Sequence, residues 1–368
     1  MKKSRKTNFS ENNKTTVNVP KYFAGSFSGK GFTNYLTNAL ETVKKIYIIK
    51  GTAGSGKSTL MKKIASAAED SGEKVERIYC SSDTNSLDGV VIPSLSFAIV
   101  DGTAPHVLEP SYPLARETIV NTADYIDSAK IEQQKENVIY YSDKKKSLFK
   151  EAELLLKSFS SLESLKMSIL ERCYDSKKGF DFSRNIISGE AKTVEPTNEA
   201  KAIKRSLVSF NKNGISTLFD SLEPKKTFKI DEYFAPFVLG TLKLLCEEYK
   251  INVIYSPSPL EPSQICAVYF PETERLFADS RFFEQTSENK ENLELIHRNR
   301  FSLEYALKEN KEKLNFISKT EKHVLAQAKE YLREAMVYHS LLEGIYSPSL
   351  DKNALDCLAQ SLIVSLFK

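Results

Sequence analysis

The stretch IYIIKGTAGSGKSTLMKKI (Ile46 to Ile64) decides the fold of this chain. Its opening residues are β-branched and aromatic, apolar enough for a buried parallel strand. Gly51-Thr52-Ala53-Gly54-Ser55-Gly56-Lys57-Ser58 then satisfies G-x-x-x-x-G-K-[ST] at every fixed position. After the loop, Leu60, Ile64 and Ala67 or Ala68 recur at helical spacing, and Gly72 marks a stop. Strand, glycine loop and helix in that order are the setting the pattern requires. The glycines allow close approach of backbone to phosphate, and N–H groups at a helix start favour an anion. The reading predicts nucleoside triphosphate contacts from Gly51, Thr52, Ala53, Gly54, Ser55, Gly56, Lys57, Ser58 and Thr59. Lys57 is expected on the β- and γ-phosphates, and the Ser58 hydroxyl on Mg2+.

Further candidates follow the loop. KVERIYC (Lys74 to Cys80) reads as a second strand leading into SSDTNSLDG, so Asp83 and Asp88 fall just past its carboxyl end, where ligands gather in open α/β sheets. Each has two readings, a contact to metal, water or an acceptor group, or an Asx turn or helix cap. LSFAIVDGTAPH supplies an apolar run ending in Asp101, the pattern of a carboxylate that holds a magnesium-bound water. Lys57, Asp101, Asp83 and Asp88 are the candidate catalytic residues, and Ser58 with Asp101 the candidate metal ligands. His106 and Glu109 read either as water-orienting groups or as parts of a turn around Pro105 and Pro110. Arg116 and Arg172 read either as γ-phosphate contacts or as ordinary ion pairs.

Some chemistries fail on the residues. Position 102 is Gly102, so the water-activating glutamate that many motor-type ATPases carry after this aspartate is missing. D-x-x-G would need glycine where Ala104 stands, and FNKNG has Asn213 where N-K-x-D needs aspartate, so a GTPase is not indicated. A net charge of +4 with lysines and acids interspersed argues against a nucleic-acid partner, which needs its basic residues on one face. No run reaches the roughly 18 apolar residues of a membrane span, and no apolar segment follows the basic KKSRK start as in a signal peptide. The five cysteines stand far apart without C-x-x-C, as expected of reduced thiols in a cytoplasmic protein.

The chain also repeats itself. SFSGKGFTNYL (Ser26 to Leu36) returns as SFNKNGISTLF (Ser209 to Phe219), KKIYII as KKTFKI, VERIYCSS as INVIYSPS, and PSLSFAIVD as PETERLFAD. Four matches in one order indicate a duplicated unit. IDEYFAPFVLGTLKLL aligns with the glycine loop but keeps none of its glycines and neither Lys57 nor Ser58. Asp231, Glu232, Phe234 and Pro236 stand there instead, so the second half is expected to bind no nucleotide this way. Each half carries a long helical segment, with Leu148, Ala152, Leu155, Phe159, Leu162 and Ile169 in the first. In the second, Leu325, Ala328, Leu332, Ala335, His339 and Leu342 make an a/d seam. These segments read as packing elements or as a lid or partner-binding arm.

YFAGSFSGKGF, IYIIKGTAGSGKSTLMKKI, SSDTNSLDGVVIP and AIVDGTAPH together resemble an uncharacterised bacterial family of tandem P-loop ATPases or ATP-binding proteins. The resemblance implies two P-loop-like halves and nucleotide contacts at Gly51 to Thr59. This chain departs from it in the second half, whose loop is gone.

The fold expectation is α/β, a P-loop NTPase-like three-layer parallel sheet, duplicated, with long helical insertions. The boundaries are a disordered tail over 1–20, a nucleotide-binding half over 21–187 with an insertion at about 143–175, a linker over 188–202, and a degenerate half over 203–368 with an insertion at about 287–345. The function expectation is slow Mg-ATP hydrolysis coupled to conformational change or partner binding. The alternatives are a small-molecule or nucleotide kinase and a non-catalytic nucleotide-gated interaction module. ATP and Mg2+ are the expected cofactors, and a protein held by the insertions or a second copy of the chain the expected partners.

Overall fold

A computed structural model describes residues 21–193, 201–283 and 292–367. The tail over 1–20 lies outside the described residues, as do positions 194–200 of the expected linker.

The first half begins with β1 (Lys21–Phe23), the hairpin β2 (Gly25–Ser28) and β3 (Gly31–Asn34), and the short α1 (Leu36–Leu40). β4 (Lys45–Lys50) and α2 (Lys57–Asp70) flank the glycine loop. β5 (Glu76–Tyr79), β6 (Leu87–Ile92), β7 (Phe97–Asp101) and β8 (Glu117–Asn121) complete the sheet. α3 (Ser128–Glu132), α4 (Lys135–Cys173) and α5 (Ser176–Thr193) follow. The second half repeats the order with β9 (Ala202–Lys204), β10 (Val208–Asn211), β11 (Gly214–Thr217), β12 (Lys226–Ile230) and α6 (Ala235–Glu248). β13 (Val253–Pro257), β14 (Ile265–Phe270), β15 (Arg275–Asp279), β16 (Leu293–Ile296), α7 (Glu304–Tyr346) and α8 (Lys352–Leu366) end the chain.

Two sheets of the same strand order result. The first runs β1-β5-β6-β7-β4-β8 and the second β9-β13-β14-β15-β12-β16. The four repeated stretches of sequence fall on equivalent strands, β2–β3 on β10–β11, β4 on β12, β5 on β13 and β7 on β15. Both sheets are mixed and mostly parallel. β6 and β14 run antiparallel to both their neighbours, whereas the remaining pairings are parallel.

This differs from the expected three-layer parallel sheet in two ways. LDGVVI forms a strand of its own, and the short turn Pro93–Leu95 that joins it to β7 is too brief for a parallel crossover. The second difference is what covers the faces. Alternate residues of β4 and β7 divide between two cores. Ile46, Ile48, Ala98 and Val100 join Ile254, Ala267, Leu276 and Ala278 of the other half, with α1 between, in one central core. Ile49, Ile99 and Val90 face Leu60, Met61 and Ile64 of α2. Each sheet thus has one helical layer, and the opposite half covers its other face.

The halves also exchange helices. α8 of the second half lays Leu355, Ala359 and Leu362 against α2, while Ile187 of α5 joins Val238, Leu239 and Leu242 of α6. α4 and α7 pack antiparallel: Leu303 N donates to Cys173 O at 2.8 Å near one end, and Tyr140 lies against Tyr338 near the other. Ala152, Leu156, Ala328 and Leu332 fill their middle under Phe27 and Phe210 of the two hairpins. The second insertion starts at Glu304 rather than near 287, because β16 and a turn precede it. Positions 188–193 of the expected linker are the last turn and a half of α5. No helix among the described residues is long and apolar enough to cross a membrane.

Toward the second half the arm interface turns charged. Lys166 of α4 meets Glu321 of α7 at 2.6 Å and also Glu163, which accepts from Arg281 at 3.0 Å. Burial, aided by Glu163, outweighs Lys166 and pushes Glu321 up to about 7 from its ordinary 4.5. An acid whose pKa is higher folded than unfolded contributes its stability below the unfolded value and loses it as pH rises through the folded one. Glu321→Gln, which mimics the protonated acid, should therefore gain stability relative to the parent as pH is raised from 5 to 8. Urea unfolding at both pH values measures this, and an unchanging difference would show that Glu321 is ionised throughout.

Candidate functional site

β4 lies between β7 and β8, with Ile49 opposite Asp101 and Lys50 opposite Asn121. The chain leaves β4 at the carboxyl edge and turns through Gly51–Gly56 before α2 starts at Lys57. Gly54 and Gly56 hold φ of +70° and +78°, the left-handed region that glycine enters without strain. Ser55 is buried and fastens the turn: its hydroxyl shares a hydrogen bond with Thr122 Oγ1 at 2.8 Å and meets both polar groups of the Thr52 backbone. Thr122 in turn donates to Lys50 O at 3.1 Å. No side chain caps α2. Its first amides have no intrahelical acceptor and present the positive end of the helix dipole to the loop.

Lys57 Nζ folds back to donate to Thr52 O at 2.8 Å and stands 3.7 Å from Asp101 Oδ2, both side chains largely buried. Asp101 Oδ1 accepts from the Thr103 amide at 2.8 Å and from its hydroxyl. Ser58 Oγ accepts from the Leu87 amide at 3.0 Å, against the start of β6. Among the described residues, no three His, Cys, Asp or Glu side chains are grouped to hold a metal ion. A hard cation beside Ser58 and Asp101 would draw its remaining oxygens from phosphate and water, which is how Mg2+ is usually held.

The other candidates separate. Asp83 accepts from the Asn85 amide at 3.1 Å and the Ser86 hydroxyl at 2.6 Å, an Asx turn. Partial burial raises its pKa, but these bonds outweigh it and hold the carboxyl below its usual range. Asp88 is buried on β6 and paired at 2.8 Å with His106, beside Asp101. Glu109 is on the surface, bound to Lys50 at 2.6 Å. Arg116 is occupied by Glu117 and the carbonyls of Leu40 and Val43. Arg172 is exposed near the end of α4.

The structure adds groups from distant sequence. Glu343 of α7 and Ser347 lie over Gly54, and Leu350 and Leu355 lie over Gly56, so the joint between α7 and α8 roofs the loop. Lys145 of α4 is half-buried and interacts with Lys57 and Glu343; desolvation, then Lys57, lowers its pKa. Its position was readable from spacing, because Lys145 continues the buried stripe Leu148, Ala152, Leu156 and Phe159. The partner it would meet was not readable. Shallow clefts of about 520 and 440 Å3 lie along α4 and α7, lined by residues of those helices.

In the second half, Phe234 and Pro236 are buried at the start of α6, and Arg298 binds Asp231 at 3.0 Å. Asp279, the counterpart of Asp101, is buried against Arg281 at 2.8 Å. No family model, curated protein or solved structure matches this chain.

Replacing Gly56 tests the loop. A Cβ there would meet Leu355 Cδ2 in addition to an unfavourable φ. Gly56→Ala should destabilise the protein by about 1–2 kcal/mol from the backbone angle alone, measured by urea unfolding. An unchanged midpoint would show that the loop does not need this conformation.

Proposed function

We propose that the chain binds Mg-ATP on the loop Gly51–Thr59 and hydrolyses it slowly, with occupancy coupled to the helical arms. The observation that carries this reading is the placement of Lys57, held by Thr52 O and Asp101 at the uncapped start of α2. A lysine with only a backbone carbonyl and a carboxylate 3.7 Å away can exchange both for phosphate oxygens. The amides of the loop and of the first turn of α2 would then cradle the phosphates, and Lys57 would stabilise charge on the transferring group. Mg2+ would neutralise β- and γ-phosphate oxygens when bound, with Ser58 and Asp101 the residues to hold it.

Coupling to the arms follows from the roof. Glu343 and Ser347 pack on Gly54, so phosphate entering the loop acts on the α7–α8 joint. Lys145, close to Lys57 from the other arm, adds a second cation to which an anion would be drawn. Gly102 offers no carboxylate, and Arg116 is tied to backbone carbonyls, so turnover without a further group is expected to be slow. The roof also favours a second reading, transfer to an acceptor hydroxyl, because a covered site excludes water.

Lys57→Ala removes a charged hydrogen-bond donor worth about 1.5–3 kcal/mol. It should weaken ATP binding by roughly 10-fold to 100-fold, as read by calorimetry with Mg2+. Unchanged affinity would overturn the nucleotide reading. The fate of labelled γ-phosphate, to water or to a hydroxyl acceptor, separates the two reactions.

A further inference from the structure

Asp88 and His106 form a buried pair that packing alone does not explain. Gly89 pairs with Val100 across β6 and β7, and Asp88 and Asp101 each lie one residue beyond that last pair, with Asp88 at a register shift of β6 against β5. Leu87 and Val90 on either side of the shift and Ile99 of β7 all join the core under α2. Asp88 and Asp101 therefore lie at the edge of the sheet where the glycine loop begins, and Asp101 already reaches Lys57.

His106 follows from the turn after β7, with 4% of its surface exposed, and Asp88 has 6%. Its ring meets Phe32 edge-on at 4.6 Å and 88°, which fixes the ring plane. Nε2 lies 2.8 Å from Asp88 Oδ2. The contact is close but poorly aligned, and His106 Nδ1 and Asp88 Oδ2 are both buried without a hydrogen-bond partner. Buried polar atoms nearly always find a partner, and an exception calls for a reason. With the Nε2 proton facing the carboxylate, Nδ1 carries the lone pair and can only accept. A carboxylate paired with one imidazole nitrogen while the other has no partner is the arrangement of a base set beside its counter-charge.

We infer that His106, oriented by Asp88, accepts the proton of the water that attacks the γ-phosphorus of the triphosphate held on the loop. This rests on the nucleotide reading above. The water oxygen forms the new bond to phosphorus as the bond from phosphorus to the β,γ-bridging oxygen breaks. That bond's electron pair leaves on the nucleoside diphosphate. Nδ1 takes the water's proton, and the imidazolium, neutralised by Asp88, passes it to the released phosphate or to solvent. His106 thereby fills the role left open by Gly102.

The charged surroundings agree. Burial works to lower the His106 pKa, but Asp88 and then Asp101 outweigh it, with Lys57 opposing, and the net effect is a rise. Cys80 lies against Asp88 on the other side; burial, then Asp88, pushes its thiol well up, so it stays neutral.

The test uses the full chain with ATP and Mg2+. His106→Gln keeps an amide for Asp88 but no proton acceptor, so ATP affinity should stay within about threefold while phosphate release falls about 100-fold or more. Asp88→Asn should slow release and move the acidic limb of its pH–rate profile to lower pH, since the imidazole loses the carboxylate that raises its pKa. A purely structural pair would leave that limb in place. Release by His106→Gln within threefold of the parent, or an unmoved limb in Asp88→Asn, would overturn the inference. A parent that binds ATP without releasing phosphate would overturn it too, while a parent that binds no ATP would remove the nucleotide reading itself. If circular dichroism shows His106→Gln unfolded, the pH profile of Asp88→Asn decides.

Discussion

The antiparallel contact between α4 and α7 is the constraint from which the rest of the arrangement follows. Each helix leaves its own sheet, crosses the other, and hands the chain to a shorter helix that packs on the opposite half. Alanines at 152 and 328 let the two backbones approach, and the paired hairpins seal the apolar middle. The crossing has an approximate twofold relation. Isolated bridges join Ile126 to Leu350 and Tyr174 to Ser302, and one sequence offset carries the first pair onto the second. The same offset carries Lys145 to Glu321 and Glu163 to His339, so each end of the arm pair presents equivalent positions to one of the two sheets.

The two ends have diverged in how they treat charge. At the glycine loop, Lys57 and Lys145 converge, and His339 and Glu343 pair with each other at 3.5 Å nearby. At the other end Arg281 reaches from Asp279 to Glu163, and Lys166 links Glu163 to Glu321. A buried network of this kind is tolerable only when each charge has a partner. At that end Arg281 and Lys166 of α4 are engaged by carboxylates, whereas Lys57 and Lys145 converge beside the glycine loop. At the matching helix start Phe234 and Pro236 are buried, Pro236 offers no amide, and those of Phe234 and Ala235 already donate to Asp231 O.

Much of this was legible in the sequence. IYIIKGTAGSGKSTLMKKI becomes β4, the glycine loop and α2, and the repeated stretches fall on equivalent strands. Asp101 stands beside Lys57 as an apolar strand ending in aspartate suggests. β6 escaped because Asp88 and Gly89 interrupt the apolar run of LDGVVI, although its antiparallel pairings to β5 and, across Pro93–Leu95, to β7 are local. Missing that strand hid Asp88 at its edge, and with it the meeting with His106. The helix exchange was not legible either. An apolar stripe says that a face is buried, not against which element, so Leu355 against Gly56 and Glu343 against Gly54 are facts of tertiary structure alone.

The placement of α8 on α2 has a consequence for the order of events on the ribosome. Chains generally fold from the amino end as they emerge, and the first sheet is made early. α2 covers one face of that sheet, but the core around α2 is completed only when Leu355, Ala359 and Leu362 of residues 352–366 arrive. The glycine loop, packed against Leu350 and Leu355, therefore takes its finished shape only after those residues, about 300 positions downstream, have been synthesised. A nascent first half has strand and loop but lacks α8, and part of its apolar surface waits for the second half.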